Sequence, residues 1–87
     1  MKLSNGLDVS ANEWFVFGRC VQLVEASESF RRYGFYPAAV FPGRSTVDRA
    51  GRALIDRLVA LGLLEHNGLA GSGHFISDMG WEAWRTK

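Results

Sequence analysis

The sequence contains only one cysteine and no long apolar run, which excludes an internal disulfide and a membrane-spanning helix. A lone Cys20 cannot form an internal disulfide, which suits a reducing compartment, and we expect it to be a buried, inert thiol. No apolar run approaches the roughly 20 residues that a membrane helix needs. The first residues lack the apolar core and small-residue cleavage site of a signal peptide. We therefore expect a cytoplasmic protein with no membrane segment.

The remaining composition is that of an ordinary globular protein. Apolar residues make up 47% of the 87 residues and charged residues 22%, which argues against disorder. The length suffices for one hydrophobic core. Neither an internal repeat nor a low-complexity linker interrupts the chain. The sequence thus predicts a single domain over residues 1–87.

The net charge of the chain is small, but its positive charge is concentrated in the middle of the sequence. The formal net charge is +1. Residues 29–57 contain six arginines, no lysine and two aspartates, a sum of +4, whereas the flanking segments 1–28 and 58–87 sum to −2 and −1. Arginine suits two-point contact with phosphate or carboxylate better than lysine does. The distribution excludes an acidic DNA mimic.

The first strong structural signal is a helix start at Ser10. Ser10 and Glu13 have the spacing of a capping box, and apolar residues follow at helical spacing to about Arg32. Two adjacent rows of apolar residues make a face wider than a simple surface helix needs. We expect a single helix over residues 10–32, ended by Gly34. Its wide face belongs to the core, or is shared between the core and a partner.

A proline-bounded turn and a second helix follow. Pro37 and Pro42 leave room for one short helical turn between them. Ser45 is expected to cap a helix that carries an apolar stripe from Val47 to Leu61 and is ended by Gly62. The charged residues of this segment fall on the opposite side, so the helix is amphipathic.

Two short strands and a last helix complete the chain. Residues 63–66 and 74–76 read as strands joined by a glycine-rich loop, which predicts a β-hairpin. His66 and His74 should face each other across it at the surface. Ser77 then restarts a helix to about Arg85. The expected fold is mainly α with a small β-hairpin, an α+β class.

The order helix, short turn, helix, hairpin, helix resembles the winged helix-turn-helix domain of small bacterial and phage regulators, including the multiple-antibiotic-resistance repressor class. Residues 54–65, LIDRLVALGLLE, are similar to the end of a recognition helix entering the first wing strand. Residues 76–80, ISDMG, are similar to the segment that closes the wing. The resemblance implies a DNA-binding transcriptional regulator, with double-stranded DNA as partner.

Carried onto this sequence, the resemblance makes the helix opening at Ser45 the recognition helix. It implies that the outer residues near the start of this helix contact bases or phosphates, namely Arg44, Ser45, Asp48, Arg49 and Arg52. Arg31 and Arg32 are candidates to lie beside them. The alternative for this helix is a solvated face, on which Asp48 with Arg52 and Arg52 with Asp56 form pairs worth about 0.2–0.5 kcal/mol each.

Aromatic residues predict a second surface. Trp14, Trp81 and Trp84 either staple the terminal helices onto the core or form part of a partner surface or homodimer seam. Phe15 falls on the polar side of its helix, which favours the second interpretation. The expected wing also carries no lysine or arginine, unlike a wing that contacts phosphates. A protein-binding module, for example a phage-type inhibitor of a host complex such as a bacterial immune system, is therefore the alternative function.

The sequence contains no motif typical of catalysis or of cofactor binding. Cys20, His66, His74 and Asp78 lack the spacing of a metal site. The glycine-rich loop at residues 68–73 has no lysine and follows no long strand, so it is not a phosphate loop. We expect a binding protein, not an enzyme, without metal or cofactor.

Overall fold

A computed structural model describes residues 1–3, 5–41, 48–67 and 73–86. The elements in these ranges are helix α1 (Ala11–Ala26), helix α2 (Glu28–Tyr33), a 3-10 turn (Pro37–Val40), helix α3 (Arg49–Ala60), strand β1 (Leu64–Asn67), strand β2 (Gly73–Ile76) and helix α4 (Asp78–Arg85). The two strands pair antiparallel. The predicted fold class, helices with one small β-hairpin, is confirmed.

Helix α1 begins where the capping box predicts and lies at the centre of the fold. The Ser10 hydroxyl accepts a hydrogen bond from the Glu13 amide at 3.0 Å, and the Glu13 carboxylate accepts one from the Ser10 amide at 2.8 Å. Both apolar rows of the helix contribute buried residues, among them Val16, Phe17, Cys20, Val21 and Val24. Helix α1 packs against α2, the 3-10 turn, α3 and β2. Its wide apolar face is therefore explained by the number of elements that it supports.

The prediction of one helix over residues 10–32 is wrong, because the helix is interrupted at Ser27. Its backbone is extended, with φ −133° and ψ 113°, and its amide donates to the Leu23 carbonyl at the end of α1. Its hydroxyl accepts from the Phe30 amide at 3.2 Å and so caps α2. A serine side chain competes with the helical backbone in this way. Gly34 ends α2 as predicted, at a φ of +90° that favours glycine.

Helix α3 begins later than predicted. Its cap is Asp48, whose carboxylate accepts a hydrogen bond from the Gly51 amide at 2.8 Å, and its first residue is Arg49. An aspartate caps as well as a serine and adds a negative charge at the positive end of the helix dipole. Ser45, predicted as the cap, lies outside the described residues. The helix buries Ile55 and Leu58, and a Gly62 φ of +83° turns the chain after it.

Strand β1 begins and ends one residue later than predicted, β2 begins one residue earlier, and the hairpin has a third partner. Phe35, between α2 and the 3-10 turn, exchanges backbone hydrogen bonds of 2.8 and 2.9 Å with His74. His66 lies opposite His74, and their rings stack with centroids 4.3 Å apart. The expected surface position of His74 is wrong, because the side chain is only 2% exposed. The Phe35 segment covers the side of β2 that a free hairpin would expose.

Helix α4 closes the structure and is fixed at its start by Ser77. The Ser77 hydroxyl accepts from the Gly80 amide at 2.9 Å and donates to the Gly62 carbonyl. One apolar cluster joins all the elements, with Phe17, Phe35, Ile55, Leu58 and Leu63 fully buried in it. No buried side-chain polar atom in the described part of the chain lacks a hydrogen-bond partner.

Candidate functional site

The outer face of α3 is the first candidate site. Arg49, Arg52 and Asp56 are exposed there, while Gly51, Ile55 and Leu58 face the core. A shallow depression runs along this face, lined by Asp48, Arg49, Arg52, Ala53 and Asp56. The structure thus exposes the two arginines that the sequence assigns to a contact surface. Of the predicted apolar stripe it buries Gly51, Ile55 and Leu58, whereas Ala50 is exposed.

The charges on this face are only partly compensated. The Arg52 Nε atom lies 3.4 Å from the Asp56 carboxylate, which confirms one predicted i, i+4 pair. Both side chains are at least half exposed, and such pairs contribute about 0.3–0.5 kcal/mol. Arg49 forms no ion pair with any described residue. One arginine of this face is therefore weakly held, and the other is available to a ligand.

The remaining sequence candidates are distributed differently. Arg44 and Ser45 lie outside the described residues. Arg31 donates from Nη2 to the Glu25 carbonyl at 3.3 Å, and Arg32 lies 3.7 Å from the Glu28 carboxylate. Both are exposed on α2, which packs on α1 and β2, whereas α3 packs on α1, the 3-10 turn and β1. The arginines of α2 and α3 therefore stand on separate elements with different neighbours.

Arg57 has a role that the sequence does not reveal. Its Nε atom lies 3.4 Å from the Glu13 carboxylate, whose side chain is only 15% exposed. The same carboxylate caps α1. Arg57 therefore ties α3 to the start of α1 and contributes to the fold, not to the exposed face beside Arg52.

A second candidate lies where α1 and α4 meet, and we call it the Phe15 groove. It is a depression of about 390 Å³ lined by Trp14, Phe15, Gly18, Arg19, Gln22 and Trp84. The structure brings together three of the four aromatic residues predicted as a partner surface. Trp81, the fourth, packs partly buried against the core and is not among these lining residues. The side chain of Phe15 is 66% exposed, as its position on the polar side of α1 predicts.

Aromatic packing holds the walls of the Phe15 groove in place. The ring centroids of Trp14 and Trp84 are 5.5 Å apart, and both rings contact Phe17, at 5.4 and 6.1 Å. Phe17 is fully buried. The tryptophans therefore serve the core and the groove at once, so the two interpretations of them that the sequence leaves open are not exclusive.

Arg19 is the residue of this groove that sequence reasoning missed. Its Nε atom donates to the Val40 carbonyl at 2.9 Å, which holds the guanidinium between α1 and the 3-10 turn. Arg19 follows Phe15 by four positions and precedes Gln22 by three, so helical spacing places all three on one face. That spacing was the signal available in the sequence.

Metal binding and thiol chemistry have no site among the described residues. No group of three or more His, Cys, Asp or Glu side chains there is placed to hold a metal ion. Burial raises the pKa of Cys20 to about 12, so its thiol stays protonated and unreactive. In the same part of the chain, no helix combines the length and the apolar character needed to cross a bilayer.

Comparison with known proteins leaves the geometry as the basis for any assignment. No protein-family model, no curated protein and no solved structure matches this chain. What is shown is a small α+β fold, compatible with a winged helix, that carries an arginine-bearing helix face and an aromatic groove.

Proposed function

We propose that this chain is a small DNA-binding transcriptional regulator of the winged-helix type, which presents the outer face of α3 to duplex DNA. The observation that carries the proposal is the exposure of Arg49 and Arg52 in the first half of a helix whose other side is buried. A helix inserted into the major groove contacts base edges through residues near its N-terminus. Arginine there forms paired hydrogen bonds with guanine or phosphate.

The order and pairing of the elements support this assignment. In this assignment the 3-10 turn takes the place of the first helix of the helix-turn-helix, and α3, which follows it, takes that of the recognition helix. The β1–β2 hairpin comes directly after α3, in the position of the wing. Phe35, between α2 and the 3-10 turn, forms a single β-bridge with His74, which fixes the hairpin against the rest of the domain.

The charge balance of α3 predicts modest affinity. DNA would replace the Asp56 carboxylate as the partner of Arg52, and its phosphates would pair with Arg49. Nonspecific affinity grows with the number of phosphates neutralised, and the two arginines on this face of the helix supply few such contacts. A homodimer that presents two such helices would gain affinity from two half-sites, as in other regulators of this kind.

A salt titration tests the proposal. Fluorescence anisotropy with a labelled duplex of about 20 base pairs should show binding that weakens steeply from about 25 mM to about 300 mM salt, because phosphate contacts release counterions. The double variant R49E/R52E should lose this binding. The control is Arg85→Glu on α4, which reverses one exposed, carboxylate-paired arginine on a different element and is compared with the single variant Arg52→Glu. No binding by the parent protein at the lowest salt would end the proposal, as would equal losses in the two single variants.

The alternative is a protein-binding module, for example an inhibitor of a host complex, that keeps this scaffold without the DNA role. The exposed Phe15 beside a preformed groove favours it. A partner bound there should remain bound after charge reversal at Arg49 and Arg52, since these residues lie on α3 and not in the groove. The two functions are therefore separable on the same pair of variants.

A further inference from the structure

We propose that the Phe15 groove is a docking site for an acidic peptide segment of another protein, which places one apolar side chain in the groove and one carboxylate on Arg19. This inference does not depend on DNA binding by α3. It specifies the chemistry of the partner for the protein-binding alternative.

The groove exists because the Trp84 side chain of α4 reaches α1 at a glycine, Gly18. A Cβ atom added to Gly18 would lie 3.3 Å from the Cη2 atom of Trp84, so the ring rests almost directly on the helix backbone. The rings of Trp14 and Trp84 form the walls and are fixed by contact with the buried Phe17. A depression with rigid aromatic walls binds an apolar group at little cost in side-chain entropy.

Phe15 adds an apolar side chain at the rim that the fold itself does not use. It is 66% exposed, although α1 has enough buried residues to anchor the helix without it. Exposed aromatic residues beside well-packed pockets are frequent anchors of protein interfaces. Covering Phe15 would remove apolar surface from water at the place where an apolar side chain can also enter the groove.

Arg19 supplies the preference for a negative partner. Arg19 is partly buried, and the hydrogen bond from its Nε atom to the Val40 carbonyl fixes the orientation of the guanidinium. No carboxylate of the described residues pairs with it, whereas Arg32, Arg52, Arg57 and Arg85 each have one. A preorganised guanidinium beside apolar rings binds a carboxylate more strongly than an exposed one does, because water screens it less.

A second copy of the chain fits this surface poorly. A twofold contact places the same patch on both sides, so a contact centred on this groove would bring the Arg19 side chains of the two copies close together. Like charges opposed across an interface cost free energy. The predicted homodimer seam at Trp14 and Phe15 is thus disfavoured by charge.

Nucleic acid also fits the groove poorly. Binding to its backbone relies on several cations along a track, and Arg19 is the one cation among the lining residues that the structure describes. Bases stack on open aromatic faces, but Trp14 and Trp84 already pack against Phe17 and each other. An acidic peptide needs only one apolar anchor and one carboxylate.

The probe is a displayed library of random peptides of about 12 residues, selected on the intact folded protein. Enriched peptides should combine a bulky apolar residue with aspartate or glutamate three or four positions away. One such peptide is then synthesised with a fluorescent label, together with a version in which lysine replaces the acidic residue.

Anisotropy titrations then locate the site. Phe15→Ala and Arg19→Gln should each weaken binding by at least about tenfold, the effect typical of an interface anchor, and the lysine peptide should bind no better than background. Phe15 is exposed, so its variant tests the groove without risk to folding. The matched controls are Arg49→Gln and Arg85→Gln, which remove arginines elsewhere and should leave the affinity unchanged. Circular dichroism confirms that each variant is folded.

Four outcomes would overturn the inference. They are enrichment of basic or uncharged peptides, no enrichment over the same selection on the Phe15→Ala variant, a concentration-dependent dimer that this variant abolishes, and displacement of the peptide by oligo-dT. The duplex titration on α3 can fail or succeed without changing any of these results, so the two proposals are tested separately.

Discussion

Gly80 lies against the backbone of Leu63 so closely that a Cβ atom at position 80 would be 2.2 Å from the Leu63 carbonyl oxygen. The contact joins the first turn of α4 to the chain just before β1. The same turn is held by Ser77, whose hydroxyl bonds to both the Gly80 amide and the Gly62 carbonyl. The position of α4 therefore depends on a backbone contact at Gly80 that leaves no space for a side chain.

Replacing Gly80 with alanine should destabilise the protein. The added methyl group meets a backbone carbonyl that cannot move without shifting β1, so we expect a loss of about 2–3 kcal/mol in the free energy of unfolding. Urea denaturation followed by tryptophan fluorescence measures it. Gly18→Ala is the matched control in another helix, because its methyl group meets only the edge of the Trp84 ring at 3.3 Å. A loss at Gly80 no larger than that at Gly18 would contradict the close contact.

Removing the Ser77 hydroxyl should cost more than removing the cap of α1. Ser77 is 5% exposed and makes two hydrogen bonds, so Ser77→Ala removes a helix cap and leaves the Gly62 carbonyl without this donor. We expect about 2–3 kcal/mol, against about 1 kcal/mol for Ser10→Ala at an exposed capping box. Thermal denaturation of both variants checks the order. Equal losses would show that the bond to Gly62 contributes nothing.

The buried thiol should make stability fall at alkaline pH. Burial raises the pKa of Cys20 to about 12, while the thiol of the unfolded chain ionises near about 8.5. Below this lower value both states are protonated, and the stabilisation is fully present. As the pH rises towards 12, only the unfolded state loses its proton, so stability falls by up to about 1.4 kcal/mol per pH unit.

The Cys20→Ala variant isolates this effect from the other groups that titrate at high pH. The difference in unfolding free energy between the parent protein and Cys20→Ala should be constant up to about pH 8.5 and then shift steadily in favour of the variant. Urea denaturation at several pH values measures the difference. A difference independent of pH up to 11 would mean that the thiol is accessible to water.

Removing the carboxylate beside Arg52 should strengthen DNA binding, if α3 contacts DNA as proposed. Asp56→Asn frees the guanidinium and removes a negative charge from the contact face, so we expect a gain of about three- to tenfold in affinity at low salt. Glu82→Gln frees Arg85 in the same way on α4 and is the control. Anisotropy with the same duplex measures both. Equal effects in the two variants would point to net charge and not to α3.

Local sequence signals predicted the elements well because their causes lie within a few residues. The capping box at Ser10, the glycine stops at Gly34 and Gly62 and the short turn after Pro37 all lie where the sequence puts them. Each depends on a backbone hydrogen bond or dihedral angle that neighbouring residues decide. The break at Ser27 shows the limit, since a serine inside an apolar helical pattern can either continue a helix or cap the next one.

The candidate sites also differ in how far local sequence signals could predict them. The exposure of Arg49, Arg52 and Phe15 follows from helical spacing and could be predicted. The Phe15 groove could not, because it depends on the Trp84 ring of α4 lying against α1 at Gly18, and that contact joins residues far apart in the chain.

Apart from the break at Ser27 and the start of α3, the sequence by itself determined which segments are helical, where the hairpin lies and which faces carry charge, since these follow from periodicity and capping. Only the tertiary structure decided that His74 is buried under Phe35, that Arg57 is joined to Glu13 and that Arg19 is held beside an aromatic groove. Those arrangements depend on how the elements pack, and packing is set by the shapes of side chains distant in sequence, on which no local pattern bears.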